Sequence, residues 1–246
     1  MNTQEFSHQF DTLLNSYAVA AGFGKADSLA TIELDEYEKS LFLTNSQEEI
    51  ALSLYTGRNS SGLSFEETEE LRRYLSNLVC EAELSPITTT DGKPLGIEST
   101  SKFFTLPKDL WFITYESVAL EKGKCESHFS MEVVPVRQDE YHKIKKNPFR
   151  GANDRRALRL DLADGVVEIV SKFPVTEYYI RYIRKLKPII LVDLTNEGLD
   201  IEGEHEVMGS DVHESLHQRI LERAVELAIG SKAGASSQQT RRNNSE

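Results

Sequence analysis

Apolar residues recur at steps of three and four along the first third of the chain, which places them on one side of a helix. Phe6, Phe10, Leu13, Leu14 and Tyr17 mark a first amphipathic helix, ended around Gly22 to Gly24. The stretch "DEYEKSLFLTNSQEEIALSLYTG" predicts a second, with Asp35 as cap, Gly57 as stop, and Tyr37, Leu41, Leu52 and Tyr55 on the buried side. Its middle, Thr44 to Glu49, is polar on most faces, so it is expected partly wet or pressed on a neighbour. "SFEETEELRRYLSNLVCEAEL" predicts a third helix, opened by a capping box of Ser64 and Glu67. Its glutamates suit the positive helix end, and Phe65, Leu71, Leu75, Leu78 and Val79 form its core stripe.

The period then changes. After the turn-rich "SPITTTDGKPLG", the segments "KFFTL", "LWFITYESVAL", "SMEVVPV", "RALRLDLA", "GVVEIVS", "TEYYIRYIRKL" and "KPIILVDL" read as strands separated by Pro, Gly, Asn and Asp. Leu158, Leu160 and Leu162 share one face, and Ile180 and Tyr182 oppose Arg181 and Ile183. Period-two patterning predicts an antiparallel sandwich or small barrel, with a short helical piece at "QDEYHKIKK". A last helix starts near Asp211, with an apolar stripe of Leu216, Ile220, Ala224 and Leu227, joined by Leu221 and Ala228. The expected fold is therefore α+β: an antiparallel four-helix bundle built from three N-terminal helices and this C-terminal one. The β region is an insertion between helices three and four. The expected boundaries are 1–84 for the opening helices, 85–208 for the β domain, 209–230 for the closing helix and 231–246 for an extended tail. That tail is small and polar, unable to bury enough surface to fold alone, with Arg241 and Arg242 as charged anchors.

Composition narrows the class. At 246 residues the chain has room for one or two cores. No window approaches eighteen consecutive apolar residues, and "MNTQEFSHQF" lacks a basic and then apolar leader, so neither a membrane span nor a secretory signal is expected. Two cysteines, Cys80 and Cys125, do not make a disulfide framework and point to a reduced compartment. Cys125 near His128 in "KCESHF" reads as a chance pairing in a polar turn. The net charge of −12 hides an asymmetry, because Arg137 to Lys187 holds thirteen Lys or Arg against seven Asp or Glu. Arg150, Arg155, Arg156, Arg181 and Arg184 belong to this basic stretch. They suit either an acidic neighbour, as between stacked copies of the chain, or the phosphates of a nucleic acid.

One motif promises chemistry. "DVHESLHQRILERA" contains His213, Glu214 and His217 in the H-E-x-x-H spelling of zinc metalloproteases, where two histidines one turn apart bind the metal and the glutamate polarises its water. The extended form fails, because Ile220 and Arg223 stand where glycine and histidine should fall. Glu222 and Glu226 lie on the same helix, and His205 is a remote loop ligand. The competing reading is a helix start, with Asp211 and Glu214 as a capping box and Arg219, Glu222, Arg223 and Glu226 on the wet face. The acids of "EETEE" read as a solvated helix face, and "DGKPLG" lacks the strand and the Gly-Lys-Ser/Thr ending of a phosphate loop. No catalytic residue, metal or cofactor is expected.

Six segments, "EYEKSLFLTNSQEEIALSLYTGRN", "TEELRRYLSNLV", "LPKDLWFITYE", "KNPFRGANDRRALRLDL", "YYIRYIRKLKPIILVDL" and "SLHQRILERAVELA", together cover most of the chain. In that order they resemble the portal-proximal ring, or head–tail connector, protein of crAss-like phages. The architecture is similar to the tail tubular (gatekeeper) proteins of short-tailed phages. The resemblance implies a virion structural protein and no enzyme. It implies a homo-oligomeric ring of twelve copies that docks on the portal, extends the channel for genomic DNA and receives the next tail ring or nozzle protein. It further implies a portal contact through the C-terminal helix and tail, by position Leu216, Ile220, Arg223, Leu227, Ser231, Arg241 and Arg242.

Overall fold

Helix α1 (Thr3–Ala20) and helix α2 (Glu36–Thr56) form where the apolar spacing places them. Asp35 caps α2 by accepting from the Glu38 N–H at 2.6 Å, and Gly57 closes it in the left-handed conformation, φ 74°. A computed structural model describes residues 1–20, 33–59, 62–87, 96–120 and 130–243, with side chains omitted at 18–20, 197 and 232–243. The expected end of the first helix at Gly22–Gly24 lies outside these residues, as do Cys125 and His128.

The third helix departs from expectation. Helix α3 (Glu69–Leu75) has only seven residues and is followed by a 3-10 turn, Ser76–Leu78. Ser64 and Glu67 do bond, through the Ser64 N–H and the Glu67 carboxylate, but the cap is Thr68, which accepts from the Leu71 N–H at 3.2 Å. From Val79 the chain is strand β1 (Val79–Leu84). The pattern "VCEAEL" alternates: Cys80, Ala82 and Leu84 pack on the sheet core, while Glu81 and Glu83 face out. A strand satisfies both faces, whereas a helix would wrap the glutamates round into the core.

The chain divides into a helical unit, Met1–Asn77 with Leu186–Glu246, and a sheet unit, Leu78–Lys185. The sheet unit adds β2 (Lys102–Thr105), β3 (Leu110–Leu120), β4 (Ser130–Pro135), α4 (Tyr141–Lys145), β5 (Arg156–Asp161), β6 (Val166–Val170) and β7 (Val175–Arg184). Among the described residues, seven strands join in one curled, open sheet of order β1-β7-β3-β4-β5-β6-β2, in place of a two-sheet sandwich or a closed barrel. Every pair is antiparallel except β4 with β5, whose parallel alignment needs the crossover that carries α4. Phe104, Val118, Met131, Ala157, Ile169, Tyr178 and Ile180 bury one face. Tyr141 and Ile144 of α4 cover Leu158, Leu160 and Val170 on the other. Ile183, expected outward beside Arg181, is buried. Within the first face Arg159 pairs with Glu116, and the Tyr178 hydroxyl donates to Glu116 at 2.6 Å. Burial raises the Glu116 carboxyl above its ordinary range, although Tyr178 and Arg159 pull the other way.

In the helical unit, helix α5 (His217–Asn243) packs against α1 and α2. Phe6, Phe10, Leu14, Leu43, Leu54, Leu216, Ile220 and Ala224 are fully or almost fully buried. The four-helix bundle does not materialise: α3, about 10 Å long, is too short to be its fourth rod. The buried side of α2 is also not the predicted one. Leu52 is exposed and Tyr37, Leu41 and Tyr55 only half-buried, whereas Ser40, Thr44, Ser46 and Gln47 are buried.

"KPIILVDL" is the reason. It joins no sheet; Ile190 makes only an isolated bridge to Met208. The segment runs antiparallel along α2, whose side chains satisfy its backbone. The Gln47 amide donates to the Lys187 carbonyl at 2.9 Å, Thr44 Oγ1 accepts from the Ile189 N–H at 3.0 Å, and Ser40 Oγ accepts from the Leu191 N–H at 3.0 Å. Alternate residues of an extended chain stand about 6.6 Å apart, against roughly 4.5 and 6 Å between helix positions three and four apart, near enough for these three successive bonds to form.

Candidate functional site

The histidine pair does not sit on one helix. His213 is extended (φ −60°, ψ 139°), and its ring accepts from the Ser215 N–H to cap a 3-10 turn, Glu214–Leu216. Asp211, the expected cap, instead accepts from the Lys187 N–H at 3.2 Å. His217 then opens α5, buried with its ring 5.3 Å from Phe6 and its Nδ1 2.8 Å from the N-terminal ammonium. Burial, and then that ammonium, lower its pKa, which favours the neutral ring. His205 Nδ1 lies 2.8 Å from the Leu199 carbonyl. Among the described residues, no three His, Cys, Asp or Glu converge as a metal would require. The imidazoles belong to a cap and a core, and the protease reading finds no geometric support.

The stripe of α5 is committed inside its own unit. Leu216 and Ile220 are at most 1% exposed, and Leu227 is half-buried. Val225, absent from the predicted stripe, is fully buried; its spacing, four after Leu221 and three before Ala228, was the available signal. Arg223 lies on the wet face and bridges helices, donating to Glu49 at 2.8 and 2.9 Å and to Glu226 at 2.9 Å. Ser231 Oγ donates back to the Ala228 carbonyl at 2.8 Å. The tail is not extended, since α5 runs on through Arg241 and Arg242 to Asn243. Ala, Gln and Arg in "KAGASSQQTRR" are good helix formers and no proline intervenes, which outweighs the lone Gly234. The side chains of Arg241 and Arg242 fall outside the description.

The basic residues separate into two places. Arg150, Arg155 and Arg156 lie in or beside the loop between α4 and β5; Arg181 and Arg184 lie on β7. Two strands stand between β7 and β5, which puts the groups roughly 14 Å apart along the sheet. Arg181 faces Glu81 on β1 at 2.8 Å, a directly opposed cross-strand pair. Arg156 donates to the Phe149 carbonyl at 3.0 Å. Arg150 and Arg155 are exposed and make no ion pair with any described residue. The sequence reading passed over Phe149, which is 84% exposed at the tip of the same loop. Its signal was available: a phenylalanine inside "NPFRG", between turn residues and arginines, has no apolar partner at either period.

The model of the family described as phage tail ring protein 3/4 matches residues 1–240. The chain belongs to that family. Ring protein 3 of Bacteroides phage crAss001 is 47% identical over 235 residues, covering 94% of this chain and 96% of the relative. Ring protein 4/5 of the same phage is 29% identical over 242 residues, covering 95% and 94%. The match spans both units and the body of α5, so the whole fold is that of a phage tail ring protein. No helix among the described residues is long and apolar enough to cross a membrane.

Proposed function

We propose that this chain is a non-enzymatic subunit of a closed ring at the head–tail interface of a crAss-like phage virion. The ring docks on the portal, extends the DNA channel and passes it to the next tail ring. The observation that carries this reading is the family match over residues 1–240, since relatives named ring proteins cover nearly the full length of the chain. A ring of identical subunits needs two different, complementary faces on each subunit, and the charge asymmetry between basic and acidic stretches supports them. Twelve copies and genomic DNA in the lumen are part of the same proposal.

Portal docking is assigned to the distal part of α5. Leu216 and Ile220 are spent on the core and Arg223 on Glu49, which leaves Ser231 to Asn243, with Arg241 and Arg242, as the reach available to a partner. Deleting 231–246 is expected to leave thermal unfolding unchanged and to abolish co-sedimentation with the portal protein of the same phage. Equal portal binding by the full and shortened chains refutes that mechanism. A mass measurement of the assembled protein, alone and with portal, checks the ring and its copy number.

A further inference from the structure

The loop between α4 and β5 holds Phe149 out rigidly. Asn147 Oδ1 accepts from the N–H groups of Phe149 at 2.9 Å and Arg150 at 3.3 Å, and the Asn147 carbonyl accepts from Gly151 at 2.8 Å. Gly151 fits closely there, because a Cβ would lie 3.0 Å from the Asn147 carbonyl oxygen and press on it. Arg156 clamps the Phe149 carbonyl from the strand side at 3.0 Å. A large aromatic ring on a prepaid loop conformation, flanked by Arg150 and Arg155, has the character of an interface anchor. Lys143 and Lys146 on and just after α4 extend the positive surface and also make no ion pair with a described residue.

The helical unit carries the matching features. It holds twenty-four Asp or Glu against eleven Lys or Arg, while the sheet unit is nearly balanced at sixteen against seventeen. On it, Leu54, Leu63, Leu71 and Tyr74, with Glu70 and Arg219 as the charged lining, form a cleft of about 230 Å³, smaller than a usual small-molecule site and suited to a single side chain. Glu66, Glu67 and Glu69, neighbours of Glu70 in "EETEE", are exposed. We infer that Phe149 of one copy seats in this cleft on a neighbouring copy, with Arg150 and Arg155 against the exposed acids of the "EETEE" segment that supplies Glu70 to it. This rests on the ring reading and supplies its two faces. A duplex passing through a channel offers an exposed phenylalanine no apolar pocket unless its bases are wedged apart, so a second copy fits the loop better than DNA.

The test is self-association of the full chain by sedimentation velocity, with circular dichroism melting as the folding control. Phe149→Ser and the Arg150→Glu/Arg155→Glu pair are expected to melt like the parent and to weaken association about tenfold or more. Glu66→Arg/Glu69→Arg is expected to weaken it similarly. Mixing the two charge-reversed chains restores assembly, because each then meets a complementary face on the other. If the parent assembles and all variants do so equally, the anchor is wrong and the ring stands. A parent that stays monomeric at every concentration overturns both. Variants that assemble normally but lose duplex DNA binding make the loop a nucleic-acid contact and also overturn the inference.

Discussion

Thr44 and Gln47 lie in the polar stretch of α2 expected partly wet or pressed on a neighbour, and with Ser40 they are pressed on one. Their partners are backbone groups 140 to 151 residues away, in bonds buried for Thr44 and part-buried for the other two. Removing Thr44 Oγ1 strands the Ile189 N–H in a place water does not reach. Thr44→Val keeps the volume and deletes the acceptor of the Ile189 N–H, so a loss of about 1–3 kcal/mol in denaturant-derived stability is expected. An unchanged midpoint and slope would mean the seam contributes nothing. The polar middle of α2 was visible as an anomaly, but hydroxyls carry no record of a partner so distant in sequence. The same holds for His213 and His217: their spelling matches a metal motif, and only the break between a 3-10 turn and α5 gives them separate partners.

Among the elements, α1, α2, six of the seven expected strands and α4 were legible, since each has a clean period and a stop of Gly, Pro or Asp. The failures share a cause. "VCEAEL" continues a helical stripe and also alternates, and pairing with β7 resolves the tie. "KPIILVDL" is strand-like in composition, but α2 supplies its hydrogen bonds in place of a neighbouring strand. For α5 the element itself makes a prediction. Ile220 is fully buried against α1 and α2, so Ile220→Ala is expected to cost about 2–5 kcal/mol of stability. Glu226→Ala, at an exposed position, is expected to change it by less than about 0.5 kcal/mol. Thermal or denaturant unfolding of the two variants checks both. An Ile220→Ala chain as stable as the parent would move this residue from the core to a partner surface.

At the level of the whole molecule, charge is distributed by unit, and that distribution bears on assembly more than on folding. Association of an acidic helical unit with basic loop residues of a second copy is expected to weaken as salt rises from about 0.05 M to about 0.5 M. Sedimentation across that series reads it directly; association that strengthens with salt would assign the contact to apolar burial alone. Local patterning was enough to determine the α+β class, most element positions and the charge asymmetry, because each of these is written in neighbouring residues; the kinship with phage tail ring proteins came from the resemblance of whole segments in their order. Tertiary structure alone decided that one open sheet replaces a sandwich, that polar side chains of α2 face inward, that the histidines part company and that Phe149 stands bare. Those outcomes depend on which distant groups satisfy one another's hydrogen bonds and buried surface, and no local period encodes that choice.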